Sequence, residues 1–254
     1  MSIDIASKIK ELRARTGAGF LDCQKALKEC DGDLDSSVTW LREKGIASFS
    51  KRSGNAIGSG DFGVYSGSGK FCLIALLTET DFVANTEEFK TLAHKLAHHF
   101  AENEIDREKN IFDNVPESLH SSIIQLKENI QVGDIICLDM AKGPISHYIH
   151  IGGSNRLAGV LQLKHECAAA RDIAVHIACN VPTPVALEPE QVPEEDLEIL
   201  MRSTEAEGGK ISTTSATKRL SLLDAPCLID PASTVRELLG GVQVEYWKRI
   251  QIGG

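Results

Sequence analysis

The chain has no excess of basic charge: 27 Lys and Arg stand against 36 Asp and Glu, for a formal net charge of −9. A nucleic-acid backbone calls for a basic face, so nucleic acid is excluded as the main partner, although a local basic patch is not. There is no Cys-x-x-Cys pair. The seven cysteines (Cys23, Cys30, Cys72, Cys137, Cys167, Cys179 and Cys227) are scattered and mostly set in apolar patterns. That usage reads as free thiols in a reducing compartment. No apolar run reaches membrane-spanning length, and the start Met1-Ser2-Ile3-Asp4-Ile5 has no basic stretch followed by an apolar one. The expectation is a soluble, cytoplasmic protein without a membrane partner.

The motifs that would carry catalysis are incomplete. Gly58-Ser59-Gly60-Asp61-Phe62-Gly63 has the letters of a dinucleotide fingerprint. Such a loop must follow a strand and open a helix, whereas this one follows a Gly/Ser-rich stretch and opens a strand. Gly69-Lys70 resembles the end of a phosphate loop, yet Val64 stands where its first glycine is required and Phe71 where a hydroxyl holds magnesium. His94 and His98 are one helical turn apart with His99 beside them, but no Glu base lies between them as in His-Glu-x-x-His. His147 and His150 flank Tyr148 in a predicted strand and point to opposite faces. His165-Glu166-Cys167 has neither a base–nucleophile pair nor an orienting third group around it. The reading is a protein with no catalytic residue, no metal site and no cofactor, acting by binding rather than as an enzyme.

What is present is an ordinary globular composition, 42% hydrophobic and 25% charged, in 254 residues, enough for two or three compact units. Over residues 1–47, Ile5, Ile9 and Leu12 share one helical face, Cys23, Ala26 and Leu27 a second, and Leu34, Val38 and Leu41 a third. Gly17 and Gly19 permit a tight loop, and Asp31-Gly32-Asp33 joins a helix stop to a helix start. This is a small three-helix module, of a size that more often binds than catalyses. Residues 48–60 have linker composition. Residues 61–133 follow as a first core subdomain, with a predicted hairpin (Phe62 to Tyr65, Phe71 to Leu77), a helix over 86–101, a polar stretch and a second helix with Leu119, Ile123, Leu126 and Ile130 in register. Residues 134–254 form a second, with predicted strands at Ile135 to Leu138, Ile145 to Ile151 and Leu157 to Leu163 and a helix carrying Ala170, Ile173, Ala174 and Ile177. A short helix with Leu197, Leu200 and Met201 follows, with Pro193 at its start. Then come an exposed loop from Gly208 through Thr217, a strand at Cys227-Leu228-Ile229, a short helix from Thr234 to Leu239 and a last strand. One internal echo, Leu92-Ala93-His94-Lys95-Leu96-Ala97 against Ile173-Ala174-Val175-His176-Ile177-Ala178, suggests two strand–strand–helix copies. The fold class is α+β, with antiparallel sheets behind a helical N-terminal module.

The most informative stretch is Thr80-Asp81-Phe82-Val83-Ala84-Asn85-Thr86-Glu87-Glu88-Phe89. It joins the apolar strand Phe71 to Leu77 to the helix on which Phe89, Leu92, Ala93, Leu96 and Phe100 recur, with Asn85 and Glu88 as a capping-box-like start. Pattern alone favours Phe82 folded back into the core, since most aromatics near a helix start are core.

Resemblance points the other way. The run Ile9-Lys10-Glu11-Leu12-Arg13-Ala14-Arg15-Thr16-Gly17-Ala18-Gly19-Phe20-Leu21-Asp22-Cys23-Gln24-Lys25-Ala26-Leu27 resembles the opening helix–loop–helix of the bacterial elongation factor Ts family. Asp31-Gly32-Asp33 and Leu41-Arg42-Glu43-Lys44-Gly45 continue the likeness, and Thr80-Asp81-Phe82-Val83-Ala84 resembles that family's central signature. Lys127-Glu128-Asn129-Ile130, Tyr148-Ile149-His150, His176-Ile177-Ala178 and Thr234-Val235-Arg236-Glu237-Leu238-Leu239 fall in the family's order.

The resemblance implies a guanine-nucleotide exchange factor for the GTPase elongation factor Tu. It implies a ubiquitin-associated-like N-terminal module that docks through Arg13, Thr16, Gly17, Ala18 and Gly19. It also implies that Thr80, Asp81, Phe82 and Val83 enter the partner and disturb its magnesium site, that His150 is a secondary contact, and that a 2:2 complex with Tu is possible. The chain departs from the family at Asn85, where a basic residue is usual, and at Asp172, where a histidine is. Its short interval before Ser221-Leu222-Leu223-Asp224 implies a helical hairpin reduced or absent. The alternatives are a protein-binding module without exchange activity, and an enzyme using Gly58 to Gly63 with the His165–Cys167 cluster.

Overall fold

The structure is a computed structural model that describes residues 2–104, 106, 109, 111–152 and 155–253. The polar stretch expected after the 86–101 helix lies partly outside the described residues. The chain divides into two compact units, Met1–Ser66 with Cys72–Cys137, and Gly67–Phe71 with Leu138–Gly254. The class is α+β, with eleven α-helices and two three-stranded sheets among the described residues.

In the first unit, α1 (Ser2–Thr16), α2 (Phe20–Glu29) and α3 (Leu34–Ser50) enclose a small core of Ile9, Leu12, Cys23, Ala26, Leu27 and Leu41. The helix breaks follow from backbone chemistry. Gly17, Asp31 and Gly32 adopt left-handed φ values of 66°, 51° and 79°, a region that glycine occupies without steric cost and aspartate tolerates. Asp33 then caps α3 by accepting from the Ser36 N–H at 2.8 Å. Ile5 departs from the expected face and is exposed.

The stretch expected as a linker over 48–60 is helical to Ser50 and becomes strand at Ser59. The reason is apolar spacing. Ile46 and Phe49 continue the helix and pack into the core of the following sheet. Gly45 allows this close approach, since a Cβ there would stand 2.7 Å from Ile124.

That first sheet has the order β1 (Ser59–Gly67), β2 (Lys70–Thr78), β3 (Gln131–Asp139). The β1–β2 connection places both Ser68 and Gly69 at positive φ, as a tight hairpin requires. Pattern groups the strand at Ile135 to Leu138 with those that follow it, but β3 hydrogen-bonds into this sheet; alternation identifies a strand and not its neighbour. Cys72 of β2 and Cys137 of β3 are joined as a disulfide, which corrects the expectation of free thiols for this pair. Cys23, Cys30, Cys167, Cys179 and Cys227 are free. After the one-turn α4 (Asp81–Ala84), helix α5 (Glu87–Glu102) covers the sheet through Phe89, Leu92, Ala93, Leu96, Ala97 and Phe100. α6 (Ile111–Asn114) and α7 (Glu117–Gln125) close the core with Phe112, Leu119 and Ile123.

The second unit repeats the scheme. β4 (Ile145–Gly152), β5 (Asn155–Leu163) and β6 (Val244–Ile252) form an antiparallel sheet in that order, with His150 opposite Leu157 and Leu161 opposite Trp247. Helix α8 (Ala170–Cys179) lies on it through Ile173 and Ile177, against Leu161 and Leu163. α9 (Glu194–Ala206) and α10 (Thr213–Leu220) follow, separated by Gly208 at φ 81°.

The exposed loop expected through Thr217 therefore ends at Ser212, whose hydroxyl accepts from the Ser215 N–H and starts α10. Two short helices stand before Ser221. Cys227-Leu228-Ile229 is not a strand. Cys227 is buried, Leu228 and Ile229 lie in a bend, and the neighbouring pairing is one isolated bridge from Pro226 to Thr234. Thr234 and Glu237 then form a full capping box on α11 (Val235–Leu239).

Candidate functional site

The corner between β2 and α5 is built from two threonine caps. The Thr80 side chain accepts from the Val83 N–H at 3.4 Å and starts α4. The Thr86 side chain accepts from the Phe89 N–H at 3.2 Å and starts α5, while its own hydroxyl donates to the Val83 carbonyl at 2.8 Å. Asn85, expected as the cap of the long helix, is instead the C-cap of α4. Its ψ of −7° is helical, whereas Thr86 has the extended ψ of 148° that an N-cap needs.

One turn of helix sorts its side chains by direction. Ala84 is buried and Val83 packs against the core of the sheet. Asp81 faces solvent, and Phe82 is 82% exposed. Single exposed apolar residues are common on protein surfaces. This one differs in being an aromatic held at the tip of a capped turn.

The base of the turn is polar and closely bonded. The Glu128 carboxylate accepts from the Thr78 hydroxyl at 2.6 Å, the Thr80 N–H at 3.1 Å and the Thr80 hydroxyl at 2.6 Å. Glu79 in turn accepts from the Asn129 N–H at 2.6 Å and the Asn55 side chain at 3.0 Å. Sequence reasoning placed Glu128 only within a family run. Nothing in a sequence separation of 48 residues signals that it meets Thr80.

The other predicted positions fall on two further surfaces. At the end of α1, the Thr16 hydroxyl donates to the Leu12 carbonyl at 2.6 Å and accepts from the Ala18 N–H at 3.3 Å, and Gly19 is the N-cap of α2. Arg13, Gly17 and Ala18 line a concavity of about 410 Å³ with Ile9, Lys10 and Phe20. Phe20 is 52% and Leu21 75% exposed beside it. Apolar side chains rimmed by Lys10 and Arg13 make a surface suited to an apolar partner with acidic neighbours. His150 belongs to the second unit, exposed on β4, with the Tyr148 hydroxyl 3.3 Å from its Nδ1 and the Arg171 guanidinium over the Tyr148 ring at 5.7 Å. His147 of the same strand faces Phe71, and burial, with Arg171 adding to it, pushes its pKa down.

The remaining candidate chemistry is occupied in packing. His94 Nδ1 lies 3.0 Å from the Val64 carbonyl, His98 stacks on Tyr65 at 4.2 Å, and His99 Nε2 lies 2.9 Å from the Asn114 carbonyl. Gly63, the third glycine of the fingerprint-like run, lets β1 approach α5: a Cβ there would stand 2.0 Å from the Ala93 carbonyl oxygen. The Cys167 thiol donates to the Leu238 carbonyl at 3.6 Å. Among the described residues no group of three or more His, Cys, Asp or Glu could hold a metal ion, and no helix is long and apolar enough to cross a membrane.

Comparison with known proteins places this arrangement. The family described as Elongation factor TS matches residues 79–253, beginning one residue before the capped turn. Among curated relatives, Elongation factor Ts of Nitratiruptor sp. is 35% identical over 80% of this chain and 72% of its own. That of Nostoc sp. is 31% identical over 97% of this chain and 89% of its own, and that of Lawsonia intracellularis 32% over 99% and 96%. The last alignment spans 289 positions, more than the 254 residues of this chain, so it carries gaps on this side. The signature turn, the N-terminal helix–loop–helix and these matches together make the chain a member of the elongation factor Ts family.

Proposed function

We propose that the chain is a guanine-nucleotide exchange factor for elongation factor Tu, working by protein–protein binding without covalent chemistry. The observation that carries this reading is Phe82, an aromatic 82% exposed on a one-turn helix whose inner residues are fixed in the core. Family membership supports the same assignment.

In this reading the three-helix module of residues 1–47, ubiquitin-associated-like in type, docks on the nucleotide-binding domain through Arg13 to Gly19. The Thr80–Val83 turn inserts into that domain and disturbs the Mg²⁺ ligands. Residues 48–60 join the dock to the core. Residues 61–133 and 134–254 carry the turn and the His150 contact respectively, the short α9–α10 pair standing for the longer hairpin of relatives. The compartment is the cytoplasm, where Tu works, and a 2:2 assembly is compatible with the two separate contact regions.

The physics is that of linkage. A factor that binds the nucleotide-free partner better than the loaded one must lower nucleotide affinity by the same factor. Burying the Phe82 ring in the partner contributes roughly 1.5–3 kcal/mol, a ten- to hundredfold shift at about 1.4 kcal/mol per decade. Further acceleration comes from Asp81 near the metal ligands and from the dock. The test is release of labelled GDP from purified elongation factor Tu with and without this chain. Acceleration that saturates with chain concentration is expected, and an unchanged release rate despite complex formation would leave a binding module without exchange activity.

A further inference from the structure

We propose that Glu128 is the positioning residue of the Thr80–Val83 turn, its carboxylate setting the Thr80 hydroxyl so that the turn carrying Phe82 is formed before any partner arrives. The proposal rests on the reading above for its consequence in nucleotide release, but its structural half can be tested on the free chain.

A four-residue helix cannot hold itself, because helix nucleation fixes several dihedrals for a single hydrogen bond. The inner residues Val83 and Ala84 are anchored by packing. The entry to the turn depends on the cap. Thr80 has one hydroxyl proton, and donating it to Glu128 at 2.6 Å leaves the oxygen lone pairs for the Val83 N–H.

Three donors converge on the Glu128 carboxylate, two of them from Thr80 and one from Thr78. An ionised carboxylate accepts on both oxygens and carries no O–H to oppose the incoming donors. Burial works to raise the Glu128 pKa, but the bonds from Thr78 and Thr80 and the nearby backbone N–H groups outweigh it and hold the carboxyl below its ordinary range.

Glu128 is itself held. Its neighbour Asn129 is fully buried, donates to the carbonyls of Ser53 (3.2 Å) and Asn55 (2.9 Å), and gives its backbone N–H to Glu79. Residues 78–80 and 128–129 thus cap one another's backbone through crossed carboxylates. Lys127, at a left-handed φ of 57°, turns the chain into that position, a conformation retained in a non-glycine residue only where surrounding contacts over-determine it.

Glu128→Gln has the same shape but sets an amide donor either against the Thr80 N–H and the Thr78 hydroxyl, which share one carboxylate oxygen, or against the Thr80 hydroxyl, which donates to the other. Two readouts decide the matter in the full chain: hydrogen exchange of the backbone amides of residues 81–86 in the free protein, and stopped-flow GDP release from elongation factor Tu as a function of chain concentration. Expected for Glu128→Gln are about tenfold faster exchange at Val83 and Ala84 and an about tenfold lower saturating release rate, the cost of one unsatisfied donor. Half-saturation should stay within about threefold, because the N-terminal dock is untouched.

Thr80→Val should match Glu128→Gln, the double variant should be no slower than either single one, and Thr80→Ser, which keeps the hydroxyl, should retain parental amide protection at Val83 and Ala84 in the free chain. If Glu128→Gln folds poorly, Thr80→Val carries both readouts alone. Parental amide protection in these variants, parental release rates, or an additive double variant would overturn the proposal. Phe82→Ala, run in parallel, separates the two ideas. Slow release by Phe82→Ala with parental release by Glu128→Gln removes the positioning role alone. Parental release by Phe82→Ala removes the wedge, while the amide exchange still decides whether Glu128 orders the turn.

Discussion

Two corners of the same make end differently. In each unit an antiparallel strand pair leads into a helix that crosses the sheet, and in each a glycine lets helix and strand touch. Gly63 faces the carbonyl of Ala93 on α5, and Gly159 faces the carbonyl of Ala174 on α8. These two alanines occupy the same place in the six-residue echo seen in sequence. The corners leading to the two helices share nothing further.

At the second corner, Cys167, Ala169 and Ala170 pack against the apolar core, and Ala169, the N-cap of α8, offers no side-chain cap. At the first, two threonine caps and the Glu128 carboxylate do the holding, and Phe82 is left in solvent. A corner closed by apolar packing uses its apolar residues up. A corner closed by hydrogen bonds has an aromatic to spare for a partner.

The shared half of the comparison is open to the strongest test. A Cβ at Gly63 would stand 2.0 Å from backbone, and one at Gly159 2.3 Å. Gly63→Ala and Gly159→Ala should each destabilise the protein by about 3 kcal/mol, the upper part of the usual overpacking range. Gly54→Ala, with nothing within 4 Å, should be near neutral. Urea unfolding measures all three. A large loss at one glycine and none at the other would break the parallel between the units.

A smaller effect sharpens the difference. His176 is fully buried in α8, where the echo places the exposed Lys95 in α5. Its Nδ1 accepts from the Leu228 N–H at 3.0 Å, and burial lowers its pKa to about 4. Because the folded value lies below the unfolded one of about 6.5, this histidine favours folding above pH 6.5. That contribution is lost as pH falls toward 4. Stability should drop by about 2 kcal/mol between pH 7 and pH 5, and a His176→Gln variant should lose most of that slope, leaving the part due to His147, which burial shifts in the same direction. An unchanged slope would place the acid sensitivity elsewhere.

How much of this was legible follows from the range of each interaction. Helical spacing of Ile9 and Leu12, or of Phe89, Leu92 and Leu96, is local and was readable, as was the stop and start at Asp31-Gly32-Asp33. The choice between Asn85 and Thr86 as the cap rests on a single ψ angle that neighbouring polar residues do not reveal. α10 reads as loop because Thr213 and Thr214 are poor helix formers. It forms where Ser212 caps it and Ala216 and Leu220 are buried. The neighbour of β3, the Cys72–Cys137 pairing and the Glu128–Thr80 clamp join residues far apart in the chain, and pattern carries no distance. Phe82 lies between these cases: its place at a corner was local information, and its direction depended on Glu128 and the two caps.

The central claim is that Phe82, held out by this frame, is what loosens the nucleotide. Stopped-flow release of labelled GDP from elongation factor Tu, driven by saturating parental chain or by Phe82→Ala, tests it directly. The account predicts a ten- to hundredfold lower saturating rate for the variant, with unchanged thermal stability because the ring is exposed in the free protein. Equal rates for variant and parent would contradict it.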